Sequence, residues 1–241
     1  MATHLYLIRH GQAISSVERS LDDTRLSPLG IKQAERLHDR LAATHEIHAD
    51  VLISSTLKRA RQTAEIIAPA LGVPITFDEE IEEWRDGDYR GMMADERQEI
   101  FRKVPMSEWP FVRINPTAET WAEFNLRIGT ALNNITSKYE GKTIVIVCHG
   151  GIIEGSFLLF FGLSTLRFPR VLMGRTKNTS ITYWRKDVFE HAGIPPTWFL
   201  EHYNDAMHLH DIESSTRIPW HEISAKPSDD NKKPEIPTNN T

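Results

Sequence analysis

Apolar residues in this chain gather in two ways. Three short runs are almost continuously apolar and rich in β-branched residues: "HLYLIRH" (4–10), "ADVLISS" (49–55) and "TIVIVCH" (143–149). They lack strict alternation, which is the pattern of strands buried on both faces of a parallel sheet. Between them the period changes to that of a helix. In "SPLGIKQAERLHDRLAA", Ser27 is placed as an N-cap, Pro28 sits at the first helical position, and Ile31, Ala34, Leu37 and Leu41 form one apolar stripe. "STLKRARQTAEIIAPALG" repeats the design with Leu57, Ala60, Ala64, Ile67 and Leu71, and Gly72 as its stop. A longer helix is expected within "TAETWAEFNLRIGTALNNITSKYEG", and another in "GGIIEGSFLLFFGL".

Alternating strands and helices predict an α/β fold: a doubly wound, mostly parallel sheet with helices on both faces. "SITYWRK" (180–186) and "TWFLEHYN" (197–204) are expected to extend that sheet. Residues 84–118, rich in Trp, Arg, Met and Pro, read as a small helical or irregular cap inserted over the sheet's edge. A single domain is expected over 1–212, followed by a polar, Pro-rich and disordered tail at 213–241.

With 241 residues, 40% hydrophobic and 25% charged, the chain is long enough for a substantial core. Its net charge of −5 offers no basic surplus for nucleic acid and no Lys/Arg block for an anionic membrane. The single cysteine, Cys148, excludes an intramolecular disulfide framework and points to a reducing compartment. No signal-peptide pattern is seen at the N-terminus, so a cytoplasmic protein is expected.

Two of the strand-like runs end on His-Gly: Arg9-His10-Gly11 and Cys148-His149-Gly150-Gly151. Ligands of open α/β sheets bind beyond the carboxyl ends of the strands. If the two strands are neighbours, both imidazoles face one crevice, together with Arg9 and the N-terminus of the helix that follows His149. The run ending at Ser54-Ser55 leads into a helix whose first turn carries Arg59, which reaches the same place. Two imidazoles, two guanidiniums and a helix N-terminus make an anion pocket, and guanidinium forks match phosphoryl oxygens.

These stretches resemble, in order, the motifs of the histidine phosphatase superfamily, the phosphoglycerate-mutase-like proteins. Arg9-His10-Gly11 is similar to the family's first signature, "LSPLGIKQA" (26–34) and "SSTLKRARQTAEII" (54–67) to its next two elements, "IEEWRDGDYRG" (81–91) to its acid-bearing segment, and "VCHGG" to its second-histidine motif. "NTSITYW" and "HYNDAMHL" are similar to late family strands, and the likeness runs from about residue 4 to 210. The resemblance implies a metal-independent phosphomonoesterase with no cofactor. His10 would be the nucleophile that forms a phosphohistidine. Arg9, Arg59 and His149, the last as an imidazolium, would hold the phosphoryl oxygens, and Glu83 would be the proton donor, a role that requires burial or bound phosphate to favour its protonated form near neutrality. Gly11, Gln12, Ser16 and Gly150 are the expected substrate contacts, a small phosphorylated metabolite the expected partner, and a homodimer the expected assembly.

Other readings compete. Glu82 rivals Glu83, although the four-residue spacing to Gly87 favours the latter. A cysteine-phosphatase loop at Cys148 fails because position 154 is Glu where an arginine is needed, which leaves a buried structural thiol. "EGKTIVIV" enters a strand and lacks the upstream glycine of a P-loop. A metal cluster of His202 with "HLHD" (208–211) is weighed against chance spacing. The match departs from the family at Gln12, Ala13 and Ser16, and at Ala118-Glu119-Thr120, which stands where the family has Gly-Glu-Ser. The family's mutases carry a long basic stretch after the acid. Here Arg90, Arg97, Arg102, Lys103 and Arg113 are balanced by about as many carboxylates, which favours a phosphatase over a phosphoglycerate mutase. A catalytically silent phospho-ligand binder is a further alternative, but none of the chemical residues is lost.

Overall fold

The computed structural model describes residues 1–18, 22–88, 94–167, 176–188 and 194–213. Its elements are, in chain order, β1 (Thr3–Arg9), α1 (Ile14–Glu18), α2 (Pro28–Thr44), β2 (Val51–Ser55), α3 (Lys58–Leu71), β3 (Ile75–Asp78), α4 (Ala94–Arg102), α5 (Trp121–Lys138), β4 (Thr143–Cys148), α6 (Gly150–Phe160), β5 (Ile181–Asp187), β6 (Thr197–Asp205) and α7 (His210–Glu213), with three short 3-10 turns at Glu79–Ile81, Trp109–Phe111 and Met207–Leu209. The sheet has six strands in the order β3-β2-β4-β1-β5-β6. The β3-β2, β2-β4 and β4-β1 pairings are parallel, and the β1-β5 and β5-β6 pairings are antiparallel.

The middle of each central strand is apolar on both sides because it is covered twice. On one face Leu5, Leu7, Ile53, Ile144, Ile146, Cys148 and Trp184 pack with α5 and α6 through Phe124, Ile128, Leu132, Ile152, Ile153 and Phe157. On the other, Ile8, Leu52, Val145, Val147 and Ile181 pack with α2 and α3 through Leu37, Leu41, Ala60, Ala64, Ile67 and Leu71. Burial of each large side chain in these layers contributes about 1.5–3 kcal/mol, which is how adjacent residues of one strand can both be apolar without aggregation.

Helix boundaries follow the local chemistry. Ser27 caps α2, its Oγ accepting from Gly30 N at 3.1 Å, with Pro28 in the first turn. Gly72 ends α3 in the left-handed region at φ 69°, where a side chain is strained. Thr120 and Glu123 form a reciprocal capping box that starts α5 immediately after Glu119. Ile31 of the expected α2 stripe is only half-buried, and Gln33 is buried in that helix instead.

Three elements were not foreseen, β3, α1 and α7, whereas α4 falls in the stretch expected to form a helical or irregular cap. The residues Met1–Leu209 form one compact unit, and His210–Thr241 form a second, of which only α7 is described. Residues 214–241 of the expected tail and 89–93 of the expected cap lie outside the described residues. The described part of 84–118 packs on α5: Trp84 stacks on Phe124 with ring centroids 5.9 Å apart and meets Trp121 at 5.7 Å, and Phe101 lies between Trp84 and Trp109. Among the described residues, no helix is long and apolar enough to cross a membrane.

Candidate active site

The parallel β1-β4 pairing aligns Arg9 with Cys148, so the histidine that follows each strand leaves the sheet at the same level. His10 N donates to Cys148 O at 2.9 Å, and the two imidazole centroids are 5.1 Å apart at an interplanar angle of 57°. Both rings are buried, His10 with 4% and His149 with none of its surface exposed.

The tautomer of His10 is set from both sides. Nδ1 lies 2.6 Å from Gly11 O, an acceptor only, so Nδ1 carries the proton. Nε2 accepts from Arg59 Nε at 3.2 Å, which marks it as the nitrogen with the lone pair. Burial, with the guanidiniums of Arg59 and then Arg9, holds the His10 pKa well below the ordinary imidazole range. His149 is likewise held well below that range, first by burial, then by Arg59, His10 and Arg9. Both rings are therefore neutral near pH 7. His149 Nε2 lies 2.8 Å from Ser55 Oγ at the end of β2, and its Nδ1 is buried without a hydrogen-bond partner among the described residues.

Arg9 donates through Nη1 to Thr176 O, and its guanidinium lies beside Gly150 at the start of α6: a Cβ on Gly150 would sit 3.7 Å from Arg9 Nε. Arg59, in the first turn of α3, is also 3.6 Å from Asp23. The backbone of the motif is pinned from the 176–180 segment. Asn178 Nδ2 donates to His10 O at 2.8 Å and Thr179 N to Arg9 O at 2.9 Å. Thr179 adopts φ 55°, unusual for a β-branched residue. Its Oγ1 lies 3.0 Å from Nε2 of His208, an imidazole that burial and Arg40 push down to about 4 and so keep neutral.

Of the two rival carboxylates, Glu83 is the one bonded to the start of α6, the helix that follows His149. It accepts from Gly151 N at 3.2 Å and from Trp84 N at 3.1 Å, placing it at the N-terminus of α6 two residues beyond His149. Glu82 is engaged by Thr56 Oγ1 and by Arg85 Nε. Gly151 is glycine for a steric reason: a Cβ there would stand 2.2 Å from Glu83 Oε1 and 2.7 Å from the Phe124 ring. Gly11 is constrained in the same way, since its Cβ would meet Gly30 O at 2.5 Å.

Gly11 and Gly150 lie in the site's backbone, Gly11 N donating to Thr63 Oγ1 at 3.0 Å. Gln12 and Ser16 have other surroundings. The Gln12 carboxamide oxygen accepts from Ser27 Oγ at 2.8 Å, and Ser16 is exposed on α1. Sequence reasoning missed Ser55, Thr63, Asn178 and Thr179 as braces, although all four lie in stretches it had singled out, and it missed Asp23 altogether. Cys148 is fully buried and burial pushes its thiol up, which makes it an inert packing residue. Among the described residues, no group of three or more His, Cys, Asp or Glu is placed to hold a metal ion.

A sheet of this topology, with paired histidines at the ends of β1 and β4, belongs to the histidine phosphatase superfamily (branch 1), whose family model matches residues 5–191; the chain is a member of that family. It is 31% identical over 211 residues to the probable phosphoglycerate mutase GpmB of Citrobacter koseri, covering 85% of this chain and 94% of that protein. Among solved structures, Bacillus stearothermophilus YhfR superposes with a TM-score of 0.68 at 29% identity, covering 86% of this chain and 99% of the other. A phosphoserine phosphatase of Entamoeba histolytica, solved with 3-phosphoglyceric acid, superposes with a TM-score of 0.66 at 26% identity, again covering 86% and 99%.

Proposed function

We propose that this protein is a metal-independent phosphomonoesterase that works through a phosphohistidine on His10. The observation that carries the reading is the disposition of His10 Nε2, a neutral ring nitrogen whose lone pair is directed at Arg59 Nε beside the ring of His149. As Arg59 Nε turns its N–H from Nε2 to a phosphoryl oxygen, the released lone pair attacks phosphorus in line with the ester oxygen, forming the N–P bond as the P–O bond breaks. Arg9, Arg59 and the α6 N-terminus hold the equatorial oxygens, with His149 Nδ1 as a further contact. Glu83, protonated, gives its proton to the departing oxygen. As carboxylate it then takes a proton from the water that attacks the phosphohistidine, which releases inorganic phosphate and restores the enzyme.

His149 enters this scheme differently from the sequence expectation of a standing imidazolium. Burial and two guanidiniums keep it neutral, so a charged form has to arrive together with the phosphoryl group, whose negative charge reverses the local balance.

A second reading, a phosphoglycerate mutase, is favoured by the names of relatives such as the Citrobacter koseri protein. One assay separates the two. A phosphomonoesterase releases inorganic phosphate from an aryl phosphate without a bisphosphate primer, and acid-labile, base-stable phosphate is trapped on wild type but not on His10→Ala. Conversion of 3-phosphoglycerate to its 2-isomer with no phosphate release establishes the mutase instead.

A further inference from the structure

The carboxylate of Glu83 sits on a stretch, residues 82–87, that has no helix or strand to hold it. The run that leads into it is acidic: Glu79, Glu80, Glu82 and Glu83 crowd into five positions, and such a composition does not by itself fix which carboxylate faces inward. What holds it comes from α5. Arg127, with a side chain only 7% exposed, donates from Nη1 to Glu80 O at 2.7 Å and Glu82 O at 3.1 Å, and from Nη2 to Glu83 O at 3.3 Å. Its remaining donors form a fork on Glu119, Nε to Oε1 at 2.6 Å and Nη2 to Oε2 at 2.8 Å. The five N–H groups of the guanidinium thus have five acceptors, three of them backbone carbonyls of the acid-bearing stretch.

Glu119 completes the clamp. Its Oε2 accepts from Arg85 N at 3.0 Å, its N donates to Arg85 O at 2.8 Å, and its O accepts from Trp84 Nε1 at 2.7 Å. The Arg127 guanidinium also lies 5.3 Å from the centroid of Phe124, the ring that packs beside Gly151. The two peptide planes flanking the Glu83 Cα are therefore tied to one rigid helix, while the Glu83 carboxylate is tied to another through Gly151 N.

We infer that Arg127, with Glu119, is a positioning residue for proton transfer by Glu83. Among the described residues it donates no hydrogen bond to either histidine, and its charge is the smallest of the influences that lower the His149 pKa, one that Arg127→Lys retains. It acts by fixing the backbone from which the carboxyl must reach the leaving oxygen, where a misplacement of about 1 Å costs on the order of 10²-fold in rate. Lysine carries the charge but has one nitrogen and no planar fork, so it cannot span Glu119 and three carbonyls together. The assignment rests on the reading of Glu83 as the acid.

A leaving-group comparison in the full-length protein tests it. 2,4-Dinitrophenyl phosphate departs as a stable phenolate and needs no proton, whereas phenyl phosphate does. In Arg127→Lys, kcat/KM for phenyl phosphate is expected to fall about 10²-fold while that for the dinitrophenyl ester changes by no more than a few-fold. Adding Arg127→Lys to Glu83→Gln is expected to cost nothing further with phenyl phosphate, because the positioned group is already gone. Equal losses on both esters, or no loss, overturn the inference; so does an additive double variant. Should Arg127→Lys not fold, Glu119→Gln decides by the same ratio. Glu83→Gln alone distinguishes the two failures. If it does not discriminate between the esters, the acid reading falls and takes the clamp with it. If it does and Arg127→Lys does not, the clamp alone falls.

Discussion

Arg59 Nε stands 3.2 Å from His10 Nε2 while Gly11 O holds the opposite ring nitrogen, so a guanidinium and a carbonyl together decide which nitrogen of His10 carries the lone pair. The same guanidinium lowers the basicity of that ring and of His149. In the proposed mechanism Arg59 therefore prepares the nucleophile and forms part of the phosphoryl cradle. Arg59→Lys is expected to lower kcat/KM for an aryl phosphate by about 10²–10³-fold, the usual cost of losing a preorganised donor at developing charge. Steady-state kinetics at saturating and limiting substrate check it; a loss under tenfold would remove Arg59 from the cradle.

Stability should fall as pH drops below the ordinary imidazole range. His10 and His149 have folded pKa values well below their unfolded value near 6.5, so under acid conditions the unfolded chain binds protons that the folded chain refuses. Their contribution is whole above about pH 6.5 and is lost as pH falls, at up to about 1.4 kcal/mol per pH unit for each ring. Urea midpoints between pH 6.5 and 5 measure the slope. His10→Gln/His149→Gln should flatten it, and an unchanged slope in that variant would contradict the assignment.

Binding of an inert phosphoryl analogue such as orthovanadate should draw in protons at neutral pH. Both rings start neutral, and a guest of opposite charge to the guanidiniums raises their affinity for a proton. Calorimetry in buffers of different ionisation enthalpy reads the uptake. Zero net uptake between pH 7 and 8 would mean that His149 stays neutral with the anion bound.

Gly151→Ala should be the most damaging small substitution in the second motif. Its methyl would overlap Glu83 Oε1 and the edge of Phe124, whereas a methyl at Gly150 meets nothing nearer than Thr176 Oγ1 at 3.5 Å. Hydrolysis of phenyl phosphate is expected to drop about 10²-fold in Gly151→Ala, as for a displaced proton donor, and by less in Gly150→Ala. The reverse order would show that Glu83 is not held against α6 in the working enzyme.

Replacing Ser27 by alanine should lower stability by about 1 kcal/mol or somewhat more, the ordinary cost of a lost helix cap. The surplus comes from Gln12, whose carboxamide oxygen loses the Ser27 hydroxyl as well. Thermal or urea unfolding measures it, and a variant as stable as wild type would show that the cap contributes nothing.

By itself the sequence determined the central sheet and the histidine pair. The runs at 4–10, 49–55 and 143–149 could be read because strands covered on both faces have no choice but to be apolar at every position, and Ser27, Pro28 and Gly72 could be read because capping is local. β3 could not. Ile75–Asp78 is a four-residue edge strand whose Phe77 is 40% exposed, held by its ladder with β2 more than by burial, and such a strand leaves no apolar run to find. The sequence favoured Glu83 over Glu82 by its spacing to Gly87, but the tertiary structure alone decided which carboxylate bonds to α6, which nitrogen of His10 carries the lone pair, and that Arg127 on α5 grips a stretch some 45 residues before it. These depend on side chains and carbonyls meeting across elements distant in sequence. A hydrogen bond of that kind constrains one residue at each end and leaves no period along the chain.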